Sequence, residues 1–254
     1  MQIRPIMYPQ MQTHNNLRAI VLLAFWLALV APVSTLAGVF SVTPVRIYMT
    51  PKDRAVAVTI TNEGDSEVVL QADLNAWSQK PDGTDEQVPT EDLILSPPII
   101  KLAPGARQVV RLALLKPADA SRQLIYRMIM REIPEVLAAR DKTLQVPIAL
   151  ALSLPVFITP PPAKREMDCT AERSTPLALN VSCGNQGSAY AQVREISLVR
   201  SEQTIARFEG GTYILPGARK TMSVTGQQSI APGPAQLSVR FDDGKSQVFS
   251  ITLP

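Results

Sequence analysis

Large aliphatic side chains take every second place from Leu144 to Val156: Leu144, Val146, Ile148, Leu150, Leu152, Leu154 and Val156. Gln145, Pro147, Ala149, Ala151, Ser153 and Pro155 fill the gaps, and no charge interrupts the run up to Ile158. A period of two is the repeat of a β-strand, whose successive side chains point to opposite faces. Shorter runs repeat the pattern. Val56, Val58 and Ile60 oppose Ala55, Ala57 and Thr59; Val68, Leu70, Ala72 and Leu74 oppose Val69, Gln71, Asp73 and Asn75. "RQVVRLALL", "LIYRMIMREI", "REISLVR" and "AQLSVRF" are further candidates. Turn signals such as "NEGD", "KPDG", "APG", "GNQG", "LPG" and "DDG" separate them. Residues 134–142, "PEVLAARDK", have helical character but are too short to shape the fold. Short strands punctuated in this way predict an all-β chain built of sandwiches.

The first 37 residues read differently. Arg4 and Arg18 precede the apolar stretch "AIVLLAFWLALVAPV", no acidic residue occurs before Ala37, and "STLA" ends on a small side chain. The apolar stretch is shorter than the ~20 residues of a membrane span. A signal peptide cleaved after Ala37 fits these features, with an uncleaved N-terminal anchor as the alternative. The rest divides at "ITPPPAKRE", where three prolines predict an extended, semi-rigid connector. The expected domains are 38–158 and 165–254, joined by 159–164. A weak internal repeat supports two related units: "KLAPGARQVVRL" resembles "YILPGARKTMSV", and "TITNEGDSEVVLQADL" resembles "NVSCGNQGSAYAQVREI". Two immunoglobulin-like sandwiches in tandem explain this best.

Export changes the charge balance. The chain has 25 basic and 22 acidic residues, and loss of Arg4 and Arg18 leaves them nearly equal. Nothing global then favours nucleic acid or an anionic membrane. The one histidine, His14, lies in the discarded segment, which removes histidine-based catalysis and histidine-ligated zinc. "DGTDE" from Asp82 lacks the closing glutamate of a calcium loop and reads as a polar hairpin. No glycine-rich phosphate loop occurs, and no metal or cofactor is expected. Cys169 and Cys183, in an exported chain, most simply form a disulfide; a free reactive thiol pair is the sharper alternative.

"SVTPVRIYM", "LSPPIIKLAPGARQVVRL", "LIYRMIMREIP" and the alternating strand ending "PVFITPP" follow one another in an order that resembles the periplasmic pilus-assembly chaperones of chaperone–usher systems. "AWSQKPDGTDEQVPTEDLILSPP" and "YRMIMREIP" look most like the archaic branch. The resemblance implies two sandwiches in a boomerang-like arrangement, a periplasmic location, pilin subunits and an outer-membrane usher as partners, and no enzymatic activity. It also allows a free protein that caps its own strand by self-association. The strand at 144–152 would be lent to a subunit that lacks one, with Leu144, Val146, Ile148, Leu150 and Leu152 filling the subunit's groove. The small residues between them would lie on the chaperone's own sheet. Pro147, Pro155 and the charged "ARDK" would guard this sticky edge against self-pairing.

The resemblance further implies two cleft cations that hold a subunit's C-terminal carboxylate, an arginine on the first strand and a lysine on the last. Arg46 matches the arginine. The lysine position falls on Pro155, a departure from the family pattern. Arg127, which breaks an apolar run, is the best candidate for the second cation, ahead of Arg111, Arg131 and Arg140; a solvated outward residue, or an internal ion pair with Glu132 or Asp73, is its structural alternative. In the family it resembles, a connection as short as 134–142 and a first domain without cysteine go with fimbriae rather than capsule-like polymers, so the resemblance implies fimbriae. Two other functions stand beside this one: a two-domain fimbrial structural or adhesive protein, and an exported carboxylate hydrolase, which no concentrated polar motif supports.

Overall fold

The computed structural model describes residues 40–133 and 149–253. The expected leader, the 134–142 connection with Arg140, and Leu144, Val146 and Ile148 lie outside the described residues. Strands carry the fold. The first ten are β1 (Phe40–Thr43), β2 (Ile47–Met49), β3 (Ala55–Asn62), β4 (Val68–Gln79), β5 (Asp85–Pro89), β6 (Leu93–Ser96), β7 (Ile99–Leu102), β8 (Arg107–Leu114), β9 (Leu124–Glu132) and β10 (Ala151–Ile158). They form two sheets, β1-β3-β8-β6 and β2-β10-β9-β4-β5, with β7 also pairing on β4. The chain thus crosses from one sheet to the other between β1 and β2, around Pro44.

The alternation seen in the sequence decides what lies between the sheets. Val58, Ile60, Leu70, Ile100, Leu112, Met128, Met130 and Val156 are fully enclosed in one apolar core. Each buried aliphatic of this size stabilises by about 1.5–3 kcal/mol.

The second set is β11 (Met167–Thr175), β12 (Ala178–Asn185), β13 (Ala191–Arg200), β14 (Gln203–Ile214), β15 (Arg219–Thr225), β16 (Gly233–Phe241) and β17 (Ser246–Leu253). Their ladder is continuous, but β14 and β15 pair at only one position, Arg207 with Thr225. The sheet breaks there into two layers around a second core that includes Leu179, Val193, Ile196, Leu237 and Phe241. Two immunoglobulin-like sandwiches result. Cys169 and Cys183 stand directly opposite on β11 and β12 and are joined by a disulfide.

The internal repeat has a physical cause. Asn62 and Asn185 are both wholly buried. Each Oδ1 accepts from the backbone N–H two residues on, of Gly64 and of Gly187. Each Nδ2 donates to carbonyls at the next strand's start and before the Pro-Gly turn: Ser66 and Leu102 in one half, Ala189 and Ile214 in the other. A buried amide must be satisfied in this way, which ties the two repeated segments together.

The sandwiches touch through a third, smaller cluster. Trp77, Phe157 and Leu215 are buried there, with Ile125, Tyr190 and Tyr213 against them. The hairpin between β4 and β5, where "DGTDE" begins, docks beside it. Gln79 Nε2 donates to Tyr213 O, Leu215 N donates to Gln79 Oε1 and Arg219 N donates to Pro81 O.

Candidate functional site

β10 has neighbours of unequal reach. β9 runs antiparallel along the whole of it, whereas β2 joins in parallel only at Val156–Ile158. Among the described residues, nothing pairs with the outer edge of Ala151–Pro155. Glu132 N donates to Leu150 O, and Thr159 N donates to Met49 O. These two bonds fix the phase of the strand. Even-numbered backbone groups face β9; odd-numbered ones face β2 and, before it begins, the open edge. Ala151 and Ser153 therefore present their N–H groups to that edge. Pro155 lies on the same side, so its missing donor leaves the β9 ladder intact.

Leu150 and Leu152 are half-buried and pack against the first core, in line with buried Leu154, Val156 and Ile158. Ala149, Ala151 and Ser153 are exposed. The small residues therefore do not lie against the chain's own sheet, contrary to what the resemblance implies. At this end of the strand the leucines take the inward side, because enclosing a leucine stabilises far more than enclosing an alanine.

The open edge stops where β2 starts, and Arg46 stands immediately before β2. Its Nη1 donates to Asp242 Oδ2 of the second sandwich at 3.0 Å. Tyr190 Oη donates to the same oxygen at 2.8 Å and shares a hydrogen bond of 3.0 Å with Tyr48 Oη. Burial alone pulls the Arg46 pKa down; the bond with Tyr48 and the nearby acidic groups outweigh it, leaving Arg46 above its ordinary value. Burial, followed by the bonds to Tyr48 and Asp242, pushes the Tyr190 phenol well up.

Arg127 lies on β9 directly opposite Pro155. Arg127 thus sits one strand away from the expected lysine position, on the same face of the sheet. Its guanidinium carbon is 3.6 Å from the Trp77 ring centroid and 5.6 Å from that of Tyr213. Nη1 reaches across to Ser153 O at 3.3 Å, and the buried Nε has no hydrogen-bond partner. The acids considered as internal partners are engaged elsewhere: Asp73 pairs with Arg131, and Glu132 Oε2 accepts from Leu150 N. Among the described residues, Arg127 forms no ion pair, although Asp85, which accepts a hydrogen bond from Trp77 Nε1, acts on it at longer range. Burial lowers its pKa, but a guanidinium starts so high that it stays charged.

Both arginines act on one further group. Burial raises the Tyr213 phenol, and the charges of Arg46 and Arg127 draw it back down. Arg127 lies 5.6 Å from the Tyr213 ring, and Arg46 is near enough to act on the same phenol. The weaker candidates do not join them: Arg111 is exposed on the other sheet, opposite Ser96, and Arg131 is held by Asp73. Tyr48, Tyr190, Tyr213 and Asp242 were not singled out from the sequence. They come from separated segments and carry no spacing signal.

Residues 39–164 match the family described as pili and flagellar-assembly chaperone, PapD N-terminal domain, and the chain belongs to that family through this domain. Among solved structures, similarity extends over both sandwiches. The CsuC–CsuE chaperone–tip adhesion subunit pre-assembly complex, from the archaic chaperone–usher Csu pili of Acinetobacter baumannii, gives a TM-score of 0.61 at 18% identity, over 85% of this chain and 100% of that one. The YadV chaperone gives 0.59 at 16% identity, over 85% and 100%. The Salmonella enterica SafA pilin complex with the SafB chaperone gives 0.55 at 14% identity, over 87% and 99%. At these identities the likeness is one of fold. No curated protein sequence matches.

Proposed function

We propose that the protein is a periplasmic chaperone that completes pilin subunits by lending them its β10 strand and then delivers them to an outer-membrane usher. The observation that carries this reading is the edge at Ala151–Pro155, left open by β9 and β2 and ending beside Arg46 and Arg127. An extended segment added there finds backbone groups to pair with. If it runs parallel to β10, its C-terminus arrives where β2 blocks further pairing, and a terminal carboxylate meets the two guanidinium groups. Arginine grips a carboxylate with paired, charge-assisted bonds, each contributing about 1.5–3 kcal/mol. The family membership of residues 39–164 and the chaperone–subunit complexes among the structural neighbours agree with this reading. Leu144, Val146 and Ile148 remain the proposed groove-filling positions, with Leu150 and Leu152 at the end nearest the fold.

Ser153→Pro tests the reading, because Ser153 directs its N–H to the open edge and not to β9. The expected outcome is an unchanged thermal melt together with loss of co-purification of a pilin subunit produced in the same cells. Recovery of the subunit at the wild-type level would remove strand lending from the account.

A further inference from the structure

Asp242 belongs to the second sandwich, yet it holds an arginine of the first. The contact is single: one oxygen, Oδ2, meets one nitrogen, Nη1, at 3.0 Å. The Asp242 side chain is only 10% exposed, while Arg46 is 27% exposed. The carboxylate is thus the more enclosed partner, and the arginine the more exposed one. Tyr190 braces the same Oδ2 from the other side, and Tyr190 is itself held: its ring stacks on Phe157 at 3.9 Å, and its N–H donates to Gln123 Oε1. An arginine has five N–H donors in a rigid fork, so bonding to Asp242 and to Tyr48 orients the plane and still leaves donors over.

We propose that Asp242 is a positioning residue for the carboxylate anchor: it sets the plane of Arg46 from the opposite sandwich, so that the anchor exists only when the two sandwiches are docked. This rests on the reading of Arg46 as the group that meets a subunit's terminal carboxylate. It goes beyond that reading by making the site a product of both domains. Asp242 does not touch the incoming chain. It acts by removing the rotamer freedom that a long arginine side chain would otherwise lose on binding.

The test separates orientation from general stability. A short alternating valine–threonine peptide, labelled at its N-terminus, is titrated with the full chain in two forms, one ending in a free carboxylate and the other in a carboxamide. Fluorescence anisotropy gives the preference for the carboxylate. Asp242→Asn and Asp242→Ala should reduce that preference about tenfold, the scale of one charge-assisted bond, and Asp242→Glu should restore part of it. In an Arg46→Ala background, Asp242→Ala should change the preference no further. Damage to the fold would weaken both peptides alike and leave their ratio unmoved. A wild-type preference retained in full by Asp242→Asn would overturn this inference alone. A wild-type chain that does not distinguish the two peptides would overturn the anchor reading and this inference with it.

Discussion

Arg127 is the residue on which sequence and structure bear most differently. From the sequence it is a charge in an apolar run, open to solvation on an outward face or to an internal ion pair. In the structure its guanidinium carbon is 3.6 Å from the Trp77 ring centroid with Nε buried and unpaired, both acids considered as ion-pair partners are occupied, and Asp85 acts on it without pairing. Partly burying a charge without an ion-pair partner is costly, which is in keeping with the proposed role of Arg127 in meeting an anion from outside. Arg127→Ala should therefore weaken capture of a carboxylate-ending subunit about tenfold. Its thermal melt should move little, since losing a cation–π contact of about 0.5–2 kcal/mol is offset by removing an unpaired charge. A subunit pull-down beside a melting curve checks both halves of the expectation.

At the scale of the element, β10 shows that periodicity gives a strand but not its orientation. The alternation of large and small residues was plain in the sequence, and so were the prolines that interrupt it. Which face turns inward depends on what the rest of the sheet offers. Leu152 leans on the first core while Ala151 and Ser153 stay bare. Leu152→Ala should accordingly cost roughly 1–2 kcal/mol, below the range for a fully enclosed leucine. Ala151→Ser, on the bare face, should stay within about 0.5 kcal/mol. Chemical denaturation of the two variants distinguishes them; equal losses would mean that the strand does not rest on its own core as described. The open edge itself could not be read from the sequence. It exists because β2 is short and enters late, at Val156.

At the scale of the molecule, the contact between the sandwiches is made by short-range packing at a few places, and Gly83 is the most constrained of them. It has φ +83°, and an added Cβ would lie 2.5 Å from Lys220 Cγ and 2.6 Å from Arg219 O. The lysine side chain can move; the backbone carbonyl cannot without shifting the turn that receives the hairpin. Gly83→Ala should loosen the docking of the β4–β5 hairpin while both sandwiches stay folded. Small-angle scattering should then report a larger radius of gyration, and proteolysis near 159–164 should quicken. An unchanged radius and cleavage rate would show that the aromatic cluster alone holds the two halves together. The same loosening should lower the carboxylate preference, since Arg46 and Asp242 lie on opposite sides of this contact.

The sequence by itself determined the strands, the division into two related sandwiches, the strand with an alternating aliphatic face and the pair of cysteines that bond. These are local properties: a period of two, a proline-rich connector, an asparagine before a turn. The tertiary structure decided the cleft. Arg127 opposite Pro155 is a matter of register between strands, and Arg46 with Asp242 joins residues 196 positions apart. No spacing along the chain encodes such a meeting, because it arises only when two separately folded cores press their surfaces together.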